Sequence, residues 1–178
     1  MERVDARGLS ALVPDLADLL VDAVAGGASV GFLHPLAAAR AREWWRSLEP
    51  DLATGRLLLW TTRHAGRVVG TAQLRRTDYE NGRHRGEVAK LLVHRDARGR
   101  GLGRALLTTV EQAATELGMT LLLLDTQSGS PADHLYRSAG WVEVGVVPDH
   151  ALDPAGARQP TTIFRKALRS TPGPRSRT

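Results

Sequence analysis

The chain has no cysteine among its 178 residues. That absence excludes a disulfide framework, thiolate ligation of zinc or iron–sulfur clusters, and a thiol nucleophile, and it agrees with a reducing, cytoplasmic address. Long hydrophobic runs are missing as well. The longest strongly apolar stretches are Leu57–Trp60 and Leu121–Leu124, far short of the roughly 20 residues that cross a bilayer, so no membrane partner is expected. The N-terminal stretch carries Glu2, Asp5, Asp15, Asp18 and Asp22, whereas an export signal needs a basic start followed by an apolar segment. Aromatics are few, with 4 Trp, 2 Tyr and 2 Phe. A basic stripe interleaved with aromatics, the hallmark of single-stranded nucleic-acid binding, is therefore lacking, and no nucleic-acid partner is expected. The histidines, His34, His64, His84, His94, His134 and His150, have no metal-ligand spacing, and no acidic cluster suggests Mg or Ca, so no metal is expected.

What remains is an ordinary globular composition, 42% hydrophobic and 24% charged. A chain of this length buries roughly 70% of its unfolded surface and needs no staples, so residues 1–168 are expected to form a single domain. The net charge of +5 is unevenly placed. Arg83 to Arg104 holds Arg83, Arg85, Lys90, Arg95, Arg98, Arg100 and Arg104 against only Glu87 and Asp96, and Arg165 to Thr178 holds five cations and no acid. This distribution indicates a local anion site and a basic tail rather than a polyanion-binding surface. The tail, residues 169–178, is rich in Pro, Gly and Ser and is expected to be disordered.

Periodicity supplies the organisation. Leu12, Leu16, Leu19 and Ala23 predict a helix from Pro14 to Gly26, and Trp45, Leu48 and Leu52 a second from about Pro35 to Ala53. Trp44 and Trp45 are adjacent on that second helix and cannot both face the core. Arg56–His64 and Arg67–Thr77 read as a hairpin, with a third strand over Arg85–His94. The pattern then changes to a helix through Leu102, Leu106, Val110, Ala113 and Leu117, followed by a buried strand over Met119–Thr126. Strand, helix and strand make a βαβ unit with parallel strands. Ser130-Pro-Ala-Asp133 caps a short helix ending at Gly140. Trp141–Val147 and Thr161–Leu168 are the last strands, separated by a loop over residues 148–160.

Between the third strand and the long helix lies Arg98-Gly-Arg-Gly-Leu-Gly103. Glycines let backbone approach a ligand closely, and the unpaired N–H groups of the next helix favour an anion; Arg98, Arg100 and Arg104 add charge. Together they suit a pyrophosphate. The spacing is neither Gly-x-Gly-x-x-Gly nor a P-loop, which disfavours a dinucleotide or nucleoside triphosphate. Glu87 at the start of the central strand and Asp125 near the end of the next can both approach the cleft where parallel neighbours separate. Glu87 could instead pair with Arg83, Arg85 or Lys90, and Asp125 could cap the Ser128-Gly129 turn. Asp78, Tyr79 and Glu80 lie in a loop able to line the same pocket.

The segment Arg98–Gly103 resembles the Arg/Gln-x-x-Gly-x-Gly/Ala signature of the GNAT superfamily of N-acetyltransferases. Glu87-Val-Ala-Lys-Leu-Leu-Val-His94 is similar to that family's central strand, and Ala132-Asp-His-Leu-Tyr-Arg-Ser-Ala-Gly-Trp141 to its Ala-x-x-Leu-Tyr-x-x-x-Gly-Phe segment. One departure is Gly129, where many members carry an Asn that contacts the pantetheine arm. The resemblance implies an α/β fold with a mixed, mostly antiparallel sheet of six or seven strands, a central parallel pair and about four flanking helices. It implies acetyl-CoA as cosubstrate, held at the pyrophosphate by Arg98, Gly99, Arg100, Gly101, Leu102, Gly103 and Arg104. Leu92 and Val93 would pair with the pantetheine amides, the Val93 N–H would receive the oxyanion, and Tyr136 would protonate the departing thiolate. Glu87 or Asp125 would then take the ammonium proton. The implied partner is a small-molecule amine, with toxins and antibiotics among the candidates, and many members are dimers, so a homodimer is one implied assembly. A catalytically silent acyl-CoA sensor and a protein N-terminal or lysine acetyltransferase are the alternatives. Tyr136, Glu87 and Asp125 favour the enzyme, since a mere binder needs none of them.

Overall fold

The computed structural model describes residues 1–168; the predicted basic tail lies outside the described residues. The first helix, α1 (Ala6–Ala25), starts well before Pro14. Asp5 caps it by accepting from the Gly8 N–H at 2.7 Å, and Leu9, Leu12, Val13, Leu16, Leu19 and Leu20 form one continuous buried stripe through the proline. An interior proline costs about 3 kcal/mol, which burial of that many apolar side chains outweighs. Because the Asp5 side chain meets an otherwise unpaired N–H, Asp5→Ala is expected to cost about 1 kcal/mol of stability, read as a lower denaturant midpoint with unchanged slope.

The predicted second helix is two: α2 (Ala38–Arg46) and α3 (Glu49–Ala53). Pro50 has no N–H to extend the α2 ladder, and the Ser47 hydroxyl turns back to donate to the Trp44 carbonyl at 2.7 Å. Before α1 stands a strand the sequence did not suggest, β1 (Glu2–Val4). It pairs with β2 (Leu57–His64), which runs into β3 (Arg67–Arg76) and β4 (Arg85–Val93) as an antiparallel meander. After β4 come α4 (Leu102–Glu116), β5 (Leu121–Gln127) and α5 (Pro131–Ser138).

The last two strands, β6 (Val142–Leu152) and β7 (Arg158–Ala167), are longer than predicted and absorb most of the expected 148–160 loop. β6 is an edge strand, where Pro148 needs no hydrogen-bonded N–H. Asp153 closes the hairpin by accepting from the Ala155 and Ala157 N–H groups at 3.0 and 2.9 Å. Trp141 lies just before β6 rather than in it; buried, it donates to Glu111 at 2.8 Å.

The seven strands form one sheet in the order β1-β2-β3-β4-β5-β7-β6. Among the described residues only β4 and β5 pair in parallel. This is the predicted mixed, mostly antiparallel sheet with its central parallel pair. One core, with α1, α2, Leu57, Leu59 and Leu92, covers one face; a second, with α4, α5, Leu74, Leu122 and Phe164, covers the other.

Candidate active site

The parallel ladder between β4 and β5 registers Arg85 with Leu121, Gly86 with Leu122 and Glu87 with Leu123, and goes no further. Beyond that point β4 stays with β3 and β5 stays with β7. The two strands therefore part toward their C-terminal ends, leaving the facing edge of β4 through Leu92 and Val93 without a strand partner. A kink helps to open it: Lys90 has a φ of 48°, and the β3 register slips between Thr71 and Gln73. Such a bulge turns a strand and breaks its pairing.

Glu87 is the last residue of β4 that pairs with β5. It lines a cavity of about 720 Å³ together with Arg56, Arg75, Asp78, Arg85 and Leu123. Asp125 follows Leu123 by two positions on β5 and so shares its face. Among the described residues neither Glu87 nor Asp125 has an ion-pair partner. The Ser128-Gly129 turn is capped instead by buried Asp133, which accepts from the Gly129 N–H at 2.7 Å and from Arg137 at 2.6 Å. Burial alone would raise the Asp133 carboxyl, but the Gly129 and Arg137 donors hold it below the usual carboxylate range. Tyr79 is 72% exposed and is not among the residues that line the cavity.

Tyr136 projects from α5 into the second core, 5% exposed, with Trp141 and Phe164 at ring distances of 5.9 and 6.0 Å. Burial, and then the Asp125 carboxylate, push its phenol above the ordinary value.

At the open end, β4 passes through a short turn into Arg98–Gly103 and α4. Gly99 and Gly101 have φ of +74° and +75°, and a Cβ on either would meet no protein atom within 4 Å. Left-handed residues alternating with ordinary ones along a turn, as on either side of Arg100 here, are the conformation of an anion-binding nest. Gly103 serves packing, since a Cβ there would stand 3.4 Å from Leu135. The arginines divide their work. Arg98 Nε donates to the Val93 carbonyl at 3.0 Å, Arg104 reaches the Ser138 hydroxyl at 2.5 Å, and Arg100 lies 3.2 Å from the His64 ring at the β2–β3 turn. The residues fit a pyrophosphate: exposed amides, a helix N-terminus without a side-chain cap, and flanking guanidinium groups.

A family model described as the Acetyltransferase (GNAT) family matches residues 21–141. The chain belongs to the GNAT acetyltransferase family. A curated relative, the IAA acetyltransferase of Azospirillum brasilense, is 33% identical over 128 residues, covering 70% of this chain and 77% of that protein. Among solved structures, the fold is similar to a ribosomal-protein-alanine N-acetyltransferase from Brucella melitensis, with a TM-score of 0.76 at 24% identity over 94% of this chain and 100% of that one. It is equally similar to a GNAT phosphinothricin acetyltransferase from Sinorhizobium meliloti in complex with acetyl-CoA, with a TM-score of 0.76 at 20% identity over 97% of this chain and 94% of that one. This GNAT chain is therefore an acetyltransferase by family. No helix among the described residues is long and apolar enough to cross a membrane.

Sequence reasoning missed three polar residues on the Glu87 face: Gln73, Arg75 and Lys90. Lys90 was weighed only as a partner for Glu87, although a lysine inside Val88-Ala-Lys-Leu-Leu-Val93 is a signal in itself, because central strands rarely carry an unpaired charge.

Proposed function

We propose that residues 1–168 act as a single catalytic domain that transfers acetyl from acetyl-CoA to the amine of a small molecule, by direct attack in a ternary complex. The observation that supports it is the parting of β4 and β5 after Glu87 and Leu123, with Asp125 two residues further along β5. The free edge of β4 at Leu92 and Val93 offers peptide groups to the amide-bearing arm of the cosubstrate, and the nest of Gly99 and Gly101 faces its pyrophosphate. The Val93 N–H receives the oxyanion, a role worth about 3 kcal/mol for a well-placed donor. Glu87 or Asp125 accepts the ammonium proton, directly or through water, so that a neutral amine attacks the thioester carbonyl. Tyr136, kept protonated by burial, donates to the thiolate as the C–S bond breaks.

Within the family, Gly26–Phe32, Leu57–Trp60, Ala72–Leu74 and Leu124–Thr126 are similar to the tabtoxin resistance protein, which places tabtoxinine-β-lactam on the acceptor panel. Thiol release from acetyl-CoA should be followed across that compound, amino acids, polyamines and aminoglycosides; the absence of cysteine keeps the protein silent to thiol reagents. Amine-dependent release is the expected result. No release with any amine, beside tight acetyl-CoA binding, would replace this reading with a protein acceptor or an acyl-CoA sensor. A cytoplasmic homodimer is the assembly this reading favours, because edge strand β6 exposes Val142, Val144 and Val146 beside an unpaired backbone; sedimentation equilibrium measures it.

A further inference from the structure

A lysine ammonium loses more on burial than almost any other group, so one that is half-buried without a direct ion pair needs an explanation. Lys90 is such a residue. Its left-handed φ of 48° at the β4 bulge turns it out of the strand alternation and sets its Nζ over the Trp44 ring, 5.5 Å from the centroid. Trp44 is fixed in turn by edge contacts with Phe32 at 5.5 Å and with fully buried Trp45 at 4.8 Å. The Gly26–Phe32 loop closes the other side, since a Cβ on Gly31 would stand 4.0 Å from the Nζ. Among the described residues Lys90 has no hydrogen bond and no salt bridge. Burial, and then the nearby Arg75, lower its pKa, while Asp125 and Glu87 oppose them.

Two neighbours carry spare donors of the same kind. Gln73 is fully buried, and its Nε2 has no hydrogen-bond partner, although its Oε1 accepts from Arg75 at 3.3 Å. Arg75 follows Gln73 by two positions, faces Glu87 across the β3–β4 ladder and lines the cavity. One face of the sheet thus presents two cations and an unused amide donor beside two carboxylates, Glu87 and Asp125, that are themselves unpaired. A simple amine would use the carboxylates and leave the donors unsatisfied. A zwitterion uses both.

We infer that Lys90, with Arg75 and the Gln73 amide, is the anchor for a carboxylate on the acetyl acceptor, and that the preferred acceptor is an amino-acid-like compound rather than a polyamine or an aminoglycoside. This rests on the acetyl-acceptor reading above. Glu87 and Asp125 receive the amine, and the donors of Lys90, Arg75 and Gln73 are not needed for transfer itself; they set which amines are taken.

The test uses matched triplets: leucine, leucinamide and isoamylamine, and tryptophan, tryptophanamide and tryptamine. Each is measured twice on the full chain, by thiol release with acetyl-CoA and by calorimetric binding with CoA present. The acids are expected to exceed their amides roughly 10- to 100-fold in kcat/KM and in affinity, as charge-assisted hydrogen bonds do. Lys90→Met, which keeps the apolar stem against Trp44, should collapse the acid-to-amide ratio toward one, chiefly through KM. Lys90→Arg should restore part of it, which a purely structural lysine would not do. Acids that bind no better than amides, or a ratio that survives Lys90→Met, overturn the inference. Acids that bind preferentially without any thiol release support the anchor and remove the transfer reading instead.

Discussion

Tyr136→Phe is expected to lower kcat for acetyl transfer by about 10²- to 10⁴-fold, the range spanned by a single general acid, with acetyl-CoA affinity unchanged. The substitution removes only the hydroxyl, and the ring keeps its packing against Trp141 and Phe164. Among the described residues that hydroxyl makes no hydrogen bond, so its loss leaves no buried partner stranded. What disappears is the proton for the thiolate. Stopped turnover with the best amine of the panel, set beside calorimetric binding of acetyl-CoA, separates the two effects; an unchanged kcat would remove Tyr136 from the mechanism.

The same residue makes a pH prediction with a definite sign. Burial and Asp125 raise the folded phenol above its ordinary value, so the pH–rate profile should show no descending limb from Tyr136 below about pH 10. For stability the unfolded chain ionises its phenol first. The penalty is absent below the ordinary value of about 10 and grows as pH rises from there toward the folded value. Tyr136→Phe should therefore move the alkaline unfolding midpoint upward.

Elements with strong periodicity were legible because their side chains alternate or recur without outside help: the β2–β4 meander, α4 and the parallel β5. β1 was not. Three residues are too short to show a period, and Glu2–Val4 is a strand only because β2 lies beside it. Pro14 resembled a helix start because proline is commonest there, but the buried stripe on both sides of it decides the matter. Pro148 and Asp149 looked like loop; an edge strand tolerates the first, and a bulge at which Asp149 has a φ of 53° accommodates the second. In the site, the glycine nest could be read from its motif, since the chemistry is local. The cleft could not, because it consists of ladder pairs that fail to form. Lys90 gains its character from Trp44 and Gly31, residues far off in the chain, and no local pattern announces them.

The nest itself is best tested by two glycines at opposite ends of α4. Gly101, at the N-terminus, has a φ of +75°, and Gly118, just past the C-terminus, has a φ of +77°; a Cβ on either meets no protein atom within 4 Å. A valine at either position pays the left-handed penalty of about 1–2 kcal/mol, so both variants should lose similar stability and both should fold. Fifteen helical residues separate them, a distance of about 22 Å. Only at Gly101 would the new side chain stand in the space through which phosphate oxygens approach the amides of the first turn. Gly101→Val is accordingly expected to weaken acetyl-CoA binding by about 100-fold or more, equal to roughly 2.8 kcal/mol, while Gly118→Val leaves it unchanged. Calorimetric titration of acetyl-CoA into each variant, with the denaturant midpoint as the strain control, reads both quantities. Equal affinity in the two variants would mean that the pyrophosphate does not sit on this turn, and the arginines around it would then need another ligand to explain them.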